Sequence, residues 1–381
     1  MTTFTVLACL AYLAWLVLEN HLAHKHRRAI GHVIHVNGIR GKSSVSRLID
    51  AGLRSGGLRV LTKTTGTCPQ LIHTDGSETP LTRLGKPSIK EQLRILRLAA
   101  RQQADVLVIE CMAILPEYQR ISEERMLRSD IGVITNVRPD HLDEMGATLD
   151  AIADALSNTI PTGGKLFTAD TAYAEFFAER AKAKKTSVVL TNCDGLQGPT
   201  VDFAENVALA LAVCQHLGID RETALAGMAH YRPDPGAFRV ERSVGKFGKQ
   251  LVFLNAMAAN DPASAQKILA QAQAQGLMDC GRRMLLVNNR YDRPARLQQF
   301  VDFAVQHQAH FDAFITAGTG RLLMRRALAK RGIAPERISG LRSYAALRAL
   351  EHDAVVFAVG NIVGSGQVHF AADQTSAMPH V

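Results

Sequence analysis

The chain has 381 residues, room for two or three domains, and its 47% hydrophobic and 21% charged residues exclude extended disorder. A formal net charge of +9, from 44 Lys+Arg against 35 Asp+Glu, suits nucleic acid, an anionic membrane surface or an acidic substrate. With aromatics at 6% and no interleaved aromatic and basic stripe, nucleic acid is set aside as a partner. Six scattered cysteines (Cys9, Cys68, Cys111, Cys193, Cys214, Cys280) include no C-x-x-C pair, which argues against a zinc site or disulfide framework and suits a reducing compartment.

Thr2 to Leu18 is an uncharged, mostly apolar run of seventeen residues, at the lower limit for a membrane span. Tyr12 and Trp15 stand where an interfacial aromatic belt would lie, and the cluster His24-Lys25-His26-Arg27-Arg28 follows. Positive charge favours the cytoplasmic side, so the expectation is a single-pass helix in the inner (plasma) membrane, with everything after residue 25 in the cytoplasm. Two readings compete: a buried core helix, and a signal peptide, which would carry its basic region ahead of the apolar run.

Next, the apolar run Val33 to Val36 predicts a short buried strand, and Asn37-Gly38-Ile39-Arg40-Gly41 turns into a helix opening on Lys42-Ser43-Ser44. Glycines let backbone N–H groups point at phosphate oxygens, and a helix N-terminus adds positive potential. Lys42 would reach the outer phosphates and Ser43 would offer its hydroxyl to Mg²⁺. The spacing is two residues shorter than the usual P-loop, with Val36 in place of the first glycine, so an ordinary strand–helix turn is the competing reading.

After this helix a loop-like tract, Thr62 to Thr67, leads into a polar region reaching about residue 88 and then a helical pattern to Arg101. Val106 to Ile109 reads as a strand ending on Glu110, and Ile131 to Ile134 as another ending in Thr135-Asn136-Val137-Arg138-Pro139-Asp140-His141-Leu142-Asp143. Strands alternating with helices indicate parallel βαβ units, in which ligands collect at the carboxyl ends of strands. Glu110 could therefore hold Mg²⁺ opposite Ser43, or be a solvated strand-end carboxylate. His141 read alone is more often structural, and Asp140 and Asp143 are ligands or turn residues.

Further strands are expected at Lys165 to Thr168 and Ser187 to Leu190, with a helix from Phe203 to Leu217. The Pro-rich segment Tyr231 to Gly236 reads as a boundary. Beyond it, strands are expected at Leu251 to Leu254, Met284 to Val287, Ala313 to Thr316 and Ala354 to Val359, with helices near 262–275, 295–308, 320–331 and 343–351. The expected organisation is an anchor with its basic flank at 1–30, a P-loop ATP-binding domain at 31–235, and a Rossmann-like α/β domain at 236–381. A glycine-rich turn, Gly360 to Gly366, is a weak phosphate or packing signal.

Taken together, these stretches resemble the Mur ligase superfamily. Gly38-Ile39-Arg40-Gly41-Lys42-Ser43-Ser44 is similar to its G-T-N-G-K-T-T loop, and Thr135 to Asp143 to its T-N-V-x-x-D-H-L-D motif. Within the superfamily the chain resembles the ligase subunit of poly-γ-glutamate synthase, the PgsB/CapB family. That resemblance rests on the leading apolar segment, V-N-G-I-R-G-K-S-S, K-T-T-G-T, E-C-M-A, P-D-P-G-A, A-A-N-D-P and V-G-N-I, in order along nearly the whole chain.

The resemblance implies an α/β fold with a parallel-rich sheet in the P-loop domain. It implies a ligase that uses ATP and Mg²⁺ to phosphorylate a glutamate γ-carboxyl, which the amine of another glutamate then attacks, extending poly-γ-glutamate. By motif position Asn37, Gly38, Arg40, Gly41, Lys42, Ser43 and Ser44 would cradle the nucleotide, with Lys42, Glu110 and His141 serving catalysis. Ser43 and Glu110 would hold a first metal and His141 a second; Arg239, Asn260 and Arg290 would serve the nucleotide from the C-terminal domain, Arg290 and Asp292 as lesser candidates. Implied partners are glutamate, the growing polymer and membrane-embedded synthase or export subunits, and a homo-oligomer is compatible with the sequence.

Two departures bear on this. Many superfamily members carry a carbamylated, metal-bridging lysine about fifteen residues past the histidine. Here no lysine occurs between His141 and Lys165, and the expected place is Ala155-Leu156-Ser157-Asn158. Only about 30 residues precede the P-loop, so the expectation is that no domain for a UDP-linked precursor is present and that a UDP-sugar is not the substrate. A non-catalytic nucleotide switch at the membrane and a folylpolyglutamate-type ligase remain the competing functions. Two metal-binding tips favour an enzyme over the switch, and the leading apolar segment disfavours the folate-type ligase.

Overall fold

The structure is a computed structural model describing residues 2–66, 69–83, 85, 87–193, 196, 202–233, 238–257 and 261–360. The chain divides into two compact units, residues 1–234 and 235–381. In the first, a 27-residue helix α1 (Thr2–Arg28) leads to β1 (His32–Asn37), α2 (Lys42–Ser55), β2 (Val60–Lys63), β3 (Gln70–Ile72) and β4 (Glu78–Pro80). The chain continues through α3 (Glu91–Arg101), β5 (Val106–Glu110), α4 (Pro116–Ile121), β6 (Ile131–Ile134), α5 (Leu142–Met145) and α6 (Leu149–Ser157). It finishes with β7 (Lys165–Thr168), α7 (Ala174–Ala183), β8 (Ser187–Leu190), α8 (Ala204–His216) and α9 (Arg221–Ala229).

Among the described residues these strands form one eight-stranded sheet, in the order β4-β3-β2-β5-β1-β6-β7-β8. From β2 to β8 every pairing is parallel, and β3 and β4 continue it antiparallel. The strands β1, β5 and β6 are continuous apolar runs because helices cover both faces of a parallel sheet. On one face Val45, Leu48, Ile49 and Leu53 of α2, at helical spacing, pack with Val207, Leu211 and Cys214 of α8 and Met228 of α9. On the other, Ile95, Leu96 and Ala99 of α3 cover Leu61, Leu107 and Ile109. A fully buried leucine such as Leu48 contributes roughly 1.5–3 kcal/mol by removal from water.

Two local readings are corrected. Thr62 and Lys63 close the strand β2 rather than opening a loop, and the polar region after them contains β3 and β4. The β-branched and amide residues there pair with neighbouring strands, a long-range gain that local polarity does not announce. Pro80, with no N–H to donate, ends the edge strand.

The second unit holds β9 (Arg239–Val244), β10 (Gln250–Asn255), α10 (Pro262–Ala274), β11 (Arg282–Asn288), α11 (Pro294–Gln306), β12 (Ala313–Ala317), α12 (Arg321–Lys330), β13 (Ile338–Gly340) and β14 (Ala354–Gly360). Its six-stranded sheet runs β13-β12-β11-β14-β10-β9, parallel except for the edge pair β10–β9. The pattern near 343–351 forms a 3₁₀ segment, Tyr344–Ala349, not a full helix.

Candidate active site

The chain leaves β1 toward β2 on one side of the sheet and leaves β6 toward β7 on the other, so their carboxyl ends flank a topological switch point. The turn between β1 and α2 sits there. Gly38 and Gly41 adopt φ of 122° and 83°, in the region that favours glycine. A Cβ on Gly38 would lie 2.1 Å from Thr135 Oγ1, and one on Gly41 2.7 Å from Asn206 Oδ1. The loop is therefore threaded where only bare backbone fits.

The 14-residue helix α2 starts at Lys42 with Gly41 as its cap, and among the described residues no side chain bonds its first N–H groups. Those donors are left for an anion. Lys42 Nζ folds over the turn, donating to Gly38 O at 2.7 Å and Ile39 O at 3.4 Å. Burial depresses the Lys42 ammonium below its ordinary range, while Glu110 pulls the other way.

In the register of β1 against β5, Val36 is opposite Glu110, which brings that strand end beside the loop. Ser43 Oγ donates to Glu110 Oε2 at 2.8 Å across 67 residues of sequence. Glu110 is buried and also accepts from Thr65 twice, from N–H to Oε2 at 2.6 Å and from the hydroxyl to Oε1. A hydroxyl and a carboxylate meeting beside free helix N–H groups are hard oxygen donors of the kind magnesium takes. A triphosphate with its metal thus fits this donor set. Thr65 escapes a reading by motif type, although it lies in the K-T-T-G-T stretch.

Other loop residues divide by role. Arg40 is tied to the β6 loop: its N–H donates to Asn136 Oδ1 at 3.1 Å, its carbonyl accepts from Thr135 Oγ1 at 2.6 Å, and its guanidinium pairs with Asp140 at 3.0 Å. Asn37 faces the interior instead, its amide donating to Gln119 Oε1 at 2.8 Å and Thr159 Oγ1 at 3.1 Å, so this side chain braces the turn from behind. Ser44 hydrogen-bonds Asp202, whose carboxyl is pushed up by burial although Tyr231 and Asn206 also donate to it. These two carboxylate-bound side chains, from α8 and the segment after α9, carry no local motif.

His141 follows β6 at φ 52°, half-exposed, with Nε2 3.7 Å from Asp140 Oδ2 and Nδ1 4.0 Å from Glu144 Oε2. Its acidic neighbours are thus Asp140 and Glu144 rather than Glu110. Among the described residues no group of three or more His, Cys, Asp or Glu is gathered as for a metal ion. In the second unit Arg239 opens β9 opposite Asn255, and Arg290 is paired with Asp292 at 2.6 Å just past β11. Asn260 and the Gly360 to Gly366 turn beyond Gly360 lie outside the described residues.

Comparison with known proteins follows the same division. Residues 36–213 match the Mur ligase middle domain, and residues 241–372 match the poly-gamma-glutamate synthase CapB C-terminal domain. PGA synthase CapB of Bacillus subtilis (strain 168) is 34% identical over 376 residues, covering 95% of each chain. The chain belongs to the CapB family of poly-γ-glutamate synthases.

Among solved structures, E. coli FolC in complex with ADP superposes with a TM-score of 0.69 at 16% identity, covering 92% of this chain and 94% of that one. A bifunctional folylpolyglutamate synthase/dihydrofolate synthase with Mn, AMPPNP and L-glutamate bound gives 0.63 at 16%, covering 89% and 90%. At that identity they establish the shared Mur ligase/FolC-like α/β fold of this CapB-family chain.

Proposed function

We propose that this chain is an ATP-dependent acid–amino-acid ligase that activates a glutamate γ-carboxylate by phosphorylation and joins it to the amine of another glutamate. The observation that carries the reading is the meeting of Lys42, Ser43 and Glu110 around one turn, in a chain of the CapB family. A carboxylate is a poor electrophile, and phosphorylation supplies it with a leaving group. Drawing triphosphate and carboxylate together requires positive charge where negative charge accumulates.

In this reading the bare N–H groups of α2 hold the phosphates, and Lys42 exchanges the carbonyls of Gly38 and Ile39 for phosphate oxygens. Ser43 and Glu110 are the residues to hold Mg²⁺, which supplies Lewis-acid neutralisation of the transferring phosphoryl group. Thr65 fixes the Glu110 carboxylate from behind. Arg40 and Asp140 tie the turn to the loop carrying His141, whose service to a second metal is the finer part of the proposal. Asn260, Arg239 and Arg290 are assigned to the nucleotide by motif position alone.

Helix α1 supports a membrane anchor. An apolar window at mean hydropathy 1.6 lies within Thr3–Arg28, none of it buried, and the cations follow it. The catalytic units then lie on the cytoplasmic side, where ATP is available, beside membrane-embedded subunits that would carry the polymer.

The decisive assay is glutamate-dependent release of phosphate from the γ-position of ATP, with and without the partner subunits. Turnover that disappears in Lys42→Ala supports the ligase; ATP binding without glutamate-dependent turnover would establish a nucleotide switch instead.

A further inference from the structure

We infer that the groove between α1 and α3 binds an anionic phospholipid of the membrane that α1 crosses, its phosphate held by Lys90, Arg94 and Arg97. This rests on the membrane-anchor reading above and adds a ligand to it.

The two walls are complementary halves of an amphiphile site. On α1, Trp15, Leu18, Leu22 and His26 recur at helical spacing along one face, and the first three are 62%, 49% and 40% exposed. On α3, Ile95, Leu96 and Ala99 enter the core, while Arg94 and Arg97, with Lys90 capping the helix start, line the opposite side. Between the walls lies a cavity of about 420 Å³ that also touches Leu93 and Glu19.

Depth places the cavity at a membrane boundary. Glu19 is the first charged side chain in the chain, so the uncharged part of α1 ends one residue earlier. At ~1.5 Å per residue, residues 2–18 span roughly 25 Å, close to a hydrocarbon thickness. Trp15 and Leu18 then lie at the inner edge of the hydrocarbon, and the α3 cations lie at the level of the headgroups.

The cations are available. Among the described residues neither Lys90 nor Arg97 forms an ion pair, and Arg94 reaches only the Thr82 carbonyl, at 3.5 Å. Glu91, the carboxylate of the same helix, is turned away and held by Lys63 at 2.9 Å and Arg83 at 2.7 Å. Among the described residues, Glu19 is the one carboxylate lining the cavity, against Lys90, Arg94 and Arg97.

A free phosphate would leave the Trp15–Leu22 wall unused, and a partner's apolar helix would leave three desolvated cations. A lipid with an anionic headgroup satisfies both walls. Its attraction amounts to roughly fivefold in retention per basic residue near the surface.

The test uses the full-length protein in vesicles of phosphatidylcholine alone or mixed with phosphatidylglycerol. Flotation reports insertion; native mass spectrometry after detergent extraction reports retained lipid. Wild type is expected to retain phosphatidylglycerol over phosphatidylcholine, and Arg94→Gln/Arg97→Gln to lose roughly tenfold or more of that preference. Arg325→Gln/Arg326→Gln, an exposed basic pair on α12, is expected to keep it.

An unchanged thermal midpoint in the double variant shows that the fold is intact. If the midpoint falls, Glu19→Gln provides the second test and is expected to strengthen retention. Equal retention of both lipids, equal loss in the α12 control, or displacement by inorganic phosphate or soluble poly-γ-glutamate would overturn the site. Failure to float with either vesicle would instead overturn the anchor reading.

Discussion

Thr65 grips Glu110 with two donors at once, its backbone N–H 2.6 Å from Oε2 and its hydroxyl on Oε1. That leaves the carboxylate one orientation, facing Ser43. Such supporting bonds orient a metal ligand, and their loss typically costs 10–100-fold in metal affinity. Thr65→Val keeps the backbone bond and removes the hydroxyl. The expected result is a roughly tenfold rise in the Mg²⁺ concentration for half-maximal activity, measured by magnesium titration at saturating ATP. An unchanged magnesium requirement would show that the hydroxyl does not position Glu110.

Ser43→Ala removes both a donor to Glu110 and the proposed metal hydroxyl. Glutamate-dependent turnover should fall by roughly 10²-fold, the usual scale for losing an electrostatic contact made in the transition state. ATP binding without metal should change far less, because the α2 N–H groups and Lys42 remain. Equal losses in both measurements would mean that the variant had damaged the turn instead.

Gly38→Ala puts a methyl group 2.1 Å from Thr135 Oγ1 at a φ of 122°. Strain of about 1–3 kcal/mol is expected at such a position, before the clash is added. Gly57→Ala is the control, since its φ is also positive, 85°, but nothing lies within 4 Å of its Cβ. Thermal unfolding should show Gly38→Ala well below Gly57→Ala. Similar midpoints would remove the argument that close backbone packing selects glycine here.

His35 is buried on β1, with Nδ1 2.8 Å from Glu123 Oε2 and Cys111 beside it. Burial alone would lower its pKa; the contacts with Cys111 and Glu123 outweigh it and raise the imidazole from 6.5 to about 9. A raised folded-state value means that the protonated histidine stabilises fully below about 6.5 and that this contribution fades as pH climbs through 9. The stabilisation relative to His35→Gln should be up to about 3 kcal/mol at mildly acid pH and nearly absent in strong base. Urea unfolding of both proteins across that range checks it; a pH-independent difference would contradict an ionised histidine.

Arg27 fastens the end of α1 to the catalytic unit. Its guanidinium donates to the carbonyls of Leu127 at 2.9 Å and Arg128 at 3.0 Å, and pairs with Asp130 at 2.7 Å. Arg27→Ala should cost about 1–3 kcal/mol locally by leaving the half-buried Leu127 carbonyl unmet. Limited proteolysis between α1 and β1 should accelerate in proportion, while the thermal midpoint of the rest changes little. Unchanged cleavage would show that packing, not this arginine, holds the helix.

Local chemistry is strong where a few neighbouring residues suffice. The runs at β1, β5 and β6 read as buried strands because a sheet covered on both faces needs consecutive apolar residues. The uncharged stretch before Glu19 and the cations after it likewise describe α1 from adjacent letters alone. Gly38, Gly41, Lys42 and Ser43 signal a phosphate-binding turn for the same reason: the donors and the permissive backbone are contiguous.

The meeting of Ser43 with Glu110, 67 residues apart, is legible because both sit at the carboxyl ends of parallel strands. The other partners are not: Thr65 reaches Glu110 across 45 residues, and Arg40 is linked to Asn136 across 96. Asn37 looks like a loop polar residue but is drawn inward by Gln119 and Thr159, and Lys63 is buried by pairing with Glu91. Strand order in the sheet sets all these contacts, and that order is chosen by burial summed over the whole unit. One stretch of chain can declare its own period and charge. It cannot declare that Thr65 will be folded against Glu110, or Asn37 against Gln119, because those contacts exist only once the intervening strands have paired.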